Sequence, residues 1–216
     1  NCSMIDYKNT SLANQVFAAI EKNILTGVYP AGEPISEPRL SAELGVSRTP
    51  IREAITRLEA ERLIKQTSSG MIVVGISKKD VEEMYAVKKA MEPYATELAV
   101  KNMSAEGLEK LREILEQQEF YVTKSNAEKI KDLDTEFHDI IYSESASPTL
   151  ESILSPLHHK LMRFRKVSLQ FSDRSTQSVE EHKQLFEAIE AGDAKKAKEL
   201  MAEHVNNACK NIMGGM

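Results

Sequence analysis

Apolar residues recur along this chain at two spacings, and the change from one to the other marks out its elements. Ser11 stands at a helix-start position, and Val16, Ile20, Ile24 and Leu25 form a stripe at helical spacing that predicts a helix from Leu12 to about Thr26. Gly27 and Tyr29-Pro30-Ala31-Gly32 end it, Ile35 lies in a short extended piece, and Glu37 to Leu44 reads as a brief helix with Leu40 and Leu44 inward. After Gly45, Ser47 opens a further helix whose buried face is Ile51, Ile55 and Leu58. The pattern then turns β-prone in Ile64-Lys65-Gln66 and Met71-Ile72-Val73-Val74, around Thr67-Ser68-Ser69-Gly70, which predicts a hairpin. Two short helices joined by a glycine-containing turn and followed by a hairpin make a winged helix-turn-helix.

From Lys78 onward the spacing is helical throughout. Candidate helices run from Lys78 to Asn102, Ala105 to Thr123, Ala127 to Ser143, Thr149 to Leu154, Leu157 to Phe171, Thr176 to Ala191 and Ala194 to Ile212. Ser104 and Asp193 are N-cap candidates, and Pro148, Pro156 and Gly192 stand at the joints. The Glu/Lys-rich run from Ala105 to Glu119 reads as a solvated face. The expected fold is mainly α: a winged helix-turn-helix over residues 4–76 and an all-α antiparallel bundle over residues 77–213.

Composition narrows the function classes. No run of eighteen apolar residues occurs and no signal peptide precedes the first helix, so no membrane partner and a cytoplasmic location are expected. Cys2 and Cys209 make neither a disulfide framework nor a zinc finger. The net charge of −5 argues against nucleic acid only until it is divided along the chain. Through Gly75 there are eight Lys/Arg and eight Asp/Glu, so the whole acidic excess lies in the helical portion. A neutral N-terminal domain with locally placed arginines is compatible with DNA, because the local patch steers binding.

Before Glu53, the Ser47 helix carries only the charges of Arg48 and Arg52. An arginine-bearing, acid-free helix N-terminus suits the major groove, where guanidinium forks meet guanine edges and phosphates. Gly70 at the wing tip allows close approach to the minor groove or a phosphate. The run Gly45-Val46-Ser47-Arg48-Thr49-Pro50-Ile51-Arg52-Glu53-Ala54, with Pro30-x-Gly32 upstream and Leu58-Glu59-x-Glu61 downstream, resembles the GntR family of bacterial regulators. That resemblance implies operator contacts for Arg48, Thr49 and Arg52, flanked by Ser47 and Gly70. Arg39 is a further candidate, displaced by one position from the family's usual basic residue, where Pro38 stands. Arg62 occupies the place of a glycine common in the family.

A second constellation lies in the helical portion. Asp134 and His138 are four apart and share one helical face, while His182 and His204 sit on separate helices across the Gly192-Asp193 turn. One carboxylate and three imidazoles suit a divalent transition metal, zinc or another first-row ion such as nickel. Taken singly, any one of the four reads better as a hydrogen-bonded core residue; it is the four together that point to a metal. The helical portion resembles the effector domain of the FadR-type branch of GntR regulators, whose metal-containing members carry Asp-x3-His, then Glu-His, then a final His. Asp134-Thr135-Glu136-Phe137-His138, Glu181-His182 and Glu203-His204 fill all four positions. The resemblance implies a metal that helps hold a small carboxylate metabolite. Where that family's first effector helix usually bears an arginine, this chain has Lys88, a point charge rather than a bidentate fork. Lys88 and Arg165 are the effector-contact candidates, with Arg163 and Arg174 expected at the surface or between helices. His158 and His159 diverge by about 100°, so at most one points inward, and both are read as non-ligands.

The expectation is therefore a regulator, not an enzyme, binding double-stranded operator DNA as a homodimer on a two-fold site. The rival is a metal-dependent hydrolase-like enzyme, for which a general base is missing: no H-E-x-x-H motif occurs, and Glu136 lies about 200° round the helix from Asp134. A third reading keeps the regulator but makes the metal purely structural.

Overall fold

The structure is a computed structural model describing residues 11–168 and 173–214, with side chains described outside 166–173. It divides into two compact units, one ending at Ser77 and the other beginning at Lys78. The predicted end of a helix at Phe171 lies outside the described residues.

In the first unit, helix α1 (Leu12–Leu25) is capped by Ser11, whose side chain accepts from the Asn14 N–H at 3.2 Å. Strand β1 (Pro34–Ile35) leads into α2 (Glu37–Leu44), which Gly45 ends in the left-handed conformation at φ 66°. Helix α3 (Arg48–Ala60) follows, then strands β2 (Ile64–Thr67) and β3 (Gly70–Val73). The three strands form an antiparallel sheet in the order β1-β3-β2, with Thr67 opposite Gly70 and Pro34 opposite Ile72. Ile20, Leu40, Ile51, Leu58, Leu63 and Val73 meet in one core that leaves the other faces of α2 and α3 to solvent. Burying such side chains stabilises the unit by about 1.5–3 kcal/mol each.

One local expectation is corrected here. Ser47 holds the N-cap position of α3 but makes no capping hydrogen bond through its side chain. Arg62, where the family resemblance implies a glycine, lies at φ 59°, a left-handed conformation that glycine adopts without strain and arginine does not.

The second unit is helical among the described residues: α4 (Lys78–Asn102), α5 (Ala105–Thr123), α6 (Ala127–Glu144), α7 (Pro148–Ser168), α8 (Asp173–Glu190) and α9 (Ala194–Gly214). Helix α4 packs on α9, α6 and α7, and α8 packs on α5, α6 and α9. Ser104 caps α5 and Asp193 caps α9. The expected break at Pro156 does not occur, and α7 runs through it. The missing N–H costs one internal bond, but Leu150, Leu154, His158 and Leu161 continue a single buried face on both sides. Helix α5 is also more than a solvated surface. Its Lys110–Glu106 pair is exposed, while Leu111, Ile114, Leu115 and Gln118 are buried.

Candidate DNA-contacting helix and metal centre

In the first unit, Ser47, Arg48 and Thr49 stand exposed where α3 begins, beside a groove of about 770 Å³ lined in part by Arg39, Arg48, Gln66, Ser69 and Gly70. Arg52 is 66% exposed and gives only its Nε–H to Glu37 of α2, at 2.9 and 3.1 Å. Its two terminal nitrogens therefore remain for a base edge. Arg39 is placed differently. Its guanidinium is engaged by Glu43 at 2.7 Å, by Glu33 at 2.6 Å and by the Pro34 carbonyl at 2.9 Å, and it lies against the Tyr29 ring. These bonds tie α2 to the β1 end of the sheet and use up the fork. Gly70 opens β3 at φ 118°, directly after the Ser68-Ser69 turn.

In the second unit, α6, α8 and α9 bring Asp134, His138, His182 and His204 together, with candidate ligand atoms all within 4.8 Å of one another. All four are buried, His182 completely. Asp134 Oδ2, His138 Nε2 and His182 Nε2 have no hydrogen-bond partner. Such orphans cost about 1–3 kcal/mol each unless something satisfies them. Each of the three histidines is held from behind at Nδ1: His138 by Glu92 Oε1 at 2.6 Å, His182 by Gln118 Oε1 at 3.0 Å, and His204 by Glu181 Oε2 at 2.6 Å. An oxygen acceptor on Nδ1 puts the ring proton there and leaves the Nε2 lone pair for a cation.

The electrostatics agree with that arrangement. Burial pushes His182 well below the usual imidazole range and also lowers His204, which keeps both rings neutral as ligands must be. Burial by itself raises the Asp134 carboxyl, but His158, 3.3 Å away, and the nearby His138 and His182 outweigh it and hold it well below the carboxylate range. Four donors of these types, three of them orphaned, fit a first-row divalent metal.

Sequence reasoning missed the outer shell of this cluster. His158 is the inward member of the His158-His159 pair, buried with Nε2 3.3 Å from Asp134 Oδ2. His159 instead pairs with Asp139 at 2.6 Å on the outside. Glu92, one turn from Lys88 on α4, is wholly buried, and burial, which raises its pKa, is outweighed by Lys88 and His138 so that it lies well below its usual value. Lys88 is buried in the same network, and the Tyr142 hydroxyl donates to Glu92 Oε1 at 2.6 Å. Arg174, expected at a surface or between helices, is buried against Glu181, with contacts of 2.5 and 2.6 Å. Arg165 lines a small cavity with Lys88, Asp134, His158 and His204, and its buried Nε has no partner. That cavity measures about 10 Å³, roughly the room for one water.

A winged helix-turn-helix joined in one chain to a helical bundle with a buried polar cluster is the organisation of a DNA-binding transcription regulator. Comparison with known proteins agrees. Residues 12–73 match the model of the bacterial regulatory proteins of the gntR family, and residues 83–207 match that of the FCD domain. The chain belongs to the GntR family of transcriptional regulators and carries an FCD domain; it is not an enzyme.

Among its relatives, the HTH-type transcriptional regulator YdhC of Bacillus subtilis strain 168 is 28% identical over 95% of this chain and 92% of its own length. The gluconate operon transcriptional repressor of the same organism is 26% identical over 81% of this chain and 74% of its own. The solved structure of McbR/YncC from E. coli superposes with a TM-score of 0.72 at 23% identity, covering 95% of this chain and 98% of that one, a likeness of fold. No described helix is long and apolar enough to cross a membrane.

Proposed function

We propose that this regulator binds a two-fold operator as a homodimer and that a small carboxylate metabolite, held at a divalent metal in the second unit, alters that binding. The observation that carries the reading is the set of orphaned buried atoms on Asp134, His138 and His182, whose candidate ligand atoms lie with that of His204 within 4.8 Å of one another. Asp134, His138, His182 and His204 would hold the ion. Zinc or nickel there would supply a Lewis-acid position for a carboxylate oxygen. Arg165, with an unsatisfied N–H on the cavity wall, faces the acid, and the flexible Met162 beside it can yield the volume a few-atom ligand needs beyond one water. A ligand that opens the closed chamber has different affinities for the two states, which is what switching requires. The change is placed in a hinge around Gly75 to Lys78, where α4 begins.

On DNA, Arg48, Thr49 and Arg52 contact bases and phosphates from the start of α3, and Ser47 and Gly70 contact the backbone on either side. Arg39 holds α2 in place. One module makes few base contacts, so two copies on half-sites about one helical turn apart are needed.

Thermal melts of metal-loaded and chelated protein with a panel of small carboxylates test the effector reading. At least one acid is expected to raise the Tm only when metal is bound. A panel with no metal-dependent shift overturns it.

A further inference from the structure

Four imidazoles crowd the chamber, and their hydrogen bonds sort them into two kinds. Three face an oxygen acceptor through Nδ1 and keep the Nε2 lone pair free. His158 faces the Lys88 Nζ instead, at 2.6 Å. An ammonium has donors only, so His158 Nδ1 must accept, and the ring proton sits on Nε2. Nε2 lies 3.3 Å from Asp134 Oδ2, close enough to act on it electrostatically but outside hydrogen-bond geometry. In this tautomer His158 has no lone pair for a metal; its N–H faces the neighbourhood of Asp134, one of the proposed ligands.

Lys88 has three N–H groups, and three acceptors surround it: His158 Nδ1 at 2.6 Å, Glu92 Oε2 at 2.9 Å and the Tyr142 oxygen at 3.3 Å. The contacts to His158 and Tyr142 are hydrogen bonds and that to Glu92 is an ion pair, so an incoming acid would have to compete with partners already in place. Glu92 in turn receives the Nδ1 proton of His138 at 2.6 Å. Two arms therefore leave one ammonium: through His158 to Asp134, and through Glu92 to His138.

We infer that Lys88 is a positioning residue for the metal, fixing Asp134 through His158 and His138 through Glu92, and is not the counter-ion of the effector. This rests on the metal reading above. It reassigns the α4 cation, which the family resemblance associated with the acid, and leaves Arg165 as the cation that meets the acid. Because Lys88 and Glu92 both lie on α4, the first helix after the hinge, filling or emptying the centre bears directly on that helix.

Zinc affinity of the full chain, measured by competition with a chromophoric chelator, tests the assignment. Wild type is expected to bind one equivalent. His158→Gln keeps an amide N–H near the position of Nε2–H and should stay within about threefold of wild type, whereas His158→Leu should lose about 10- to 100-fold. Lys88→Met alone leaves Glu92 buried without its counter-ion, so Lys88→Met/Glu92→Gln, neutral at both positions, carries the test. The amide oxygen introduced by Glu92→Gln still accepts from His138, the fold should be retained by circular dichroism, and zinc affinity should fall about 10-fold or more because Asp134 has lost its support. Wild-type affinity in the double variant overturns the inference. So does a loss in His158→Gln as large as that in His158→Leu, which is what a fifth metal ligand would give. A wild-type chain that takes up no zinc overturns the metal reading, and this inference with it.

Discussion

The two units hold their functional groups in opposite ways. On α3 the arginines stand in water, where an unpaired charge costs little, and Arg52 keeps two nitrogens unspent beyond its bond to Glu37. In the bundle the imidazoles and Asp134 are out of water, where an unpaired polar atom is expensive, and they are nevertheless orphaned. An unpaired group at a surface is open to many partners and gains meaning from its neighbours on the helix. An unpaired group in a core implies a specific missing partner. On the reading proposed above, the first unit meets a large polyanion and the second encloses something small and positively charged.

Replacing a group on each side separates the two arrangements, and the largest effect is expected in the core. His182→Ala removes a fully buried donor, and elemental analysis after dialysis should find metal near background while the operator-binding unit stays folded; full retention of metal would remove the four-ligand site. Arg52→Ala comes next. Loss of one guanidinium fork at a base edge should weaken operator binding about 10- to 100-fold with no change in Tm, read by fluorescence anisotropy at fixed salt.

Acid sharpens the contrast further. Burial pushes His158 down to about 3, against an unfolded value of about 6.5. Folded protein therefore binds fewer protons than unfolded protein across that window, and His158 lowers stability progressively as pH falls below about 6.5. For the metal-free protein this amounts to about 1.4 kcal/mol per pH unit for each such histidine, and His182 and His204 act in the same direction. Urea melts of the second unit's helices between pH 7 and 5 should show it, and His158→Gln should flatten the slope; a stability independent of pH would contradict the burial of neutral rings.

Smaller effects are expected back on the surface. Arg62→Gly relieves a left-handed arginine and should stabilise the first unit by about 1 kcal/mol in a denaturant melt. Arg39→Ala should shift operator affinity less than Arg52→Ala does, because its guanidinium already belongs to Glu33, Glu43 and the Pro34 carbonyl.

The same contrast explains what could be read along the chain. The stripes of α1 and α3, the wing and the helical run from Lys78 are periodic, so their elements were legible. That Asp134, His138, His182 and His204 would come together was legible from the one-turn spacing of the first two and from His182 and His204 standing on two helices across the Gly192-Asp193 turn. The supports were not. Gln118 lies on a helix whose charged residues suggest full solvation, and nothing local distinguishes its buried face as a place for a histidine partner. Spacing limited His158 and His159 to one inward residue without saying which, since that depends on how α7 rolls against α6. Pro156 suggested an end to α7 because the apolar face that carries the helix through it is a tertiary property. Arg39 looked like Arg52 in sequence, and only the fold of α2 against β1 shows its charge already taken.

The most direct test is operator affinity measured by anisotropy in four conditions: metal-loaded or chelated protein, with or without the carboxylate that shifts its Tm. A coupled metal centre predicts a change of about fivefold or more on adding the acid to loaded protein, and none on adding it to chelated protein. Four superimposable binding curves would contradict it.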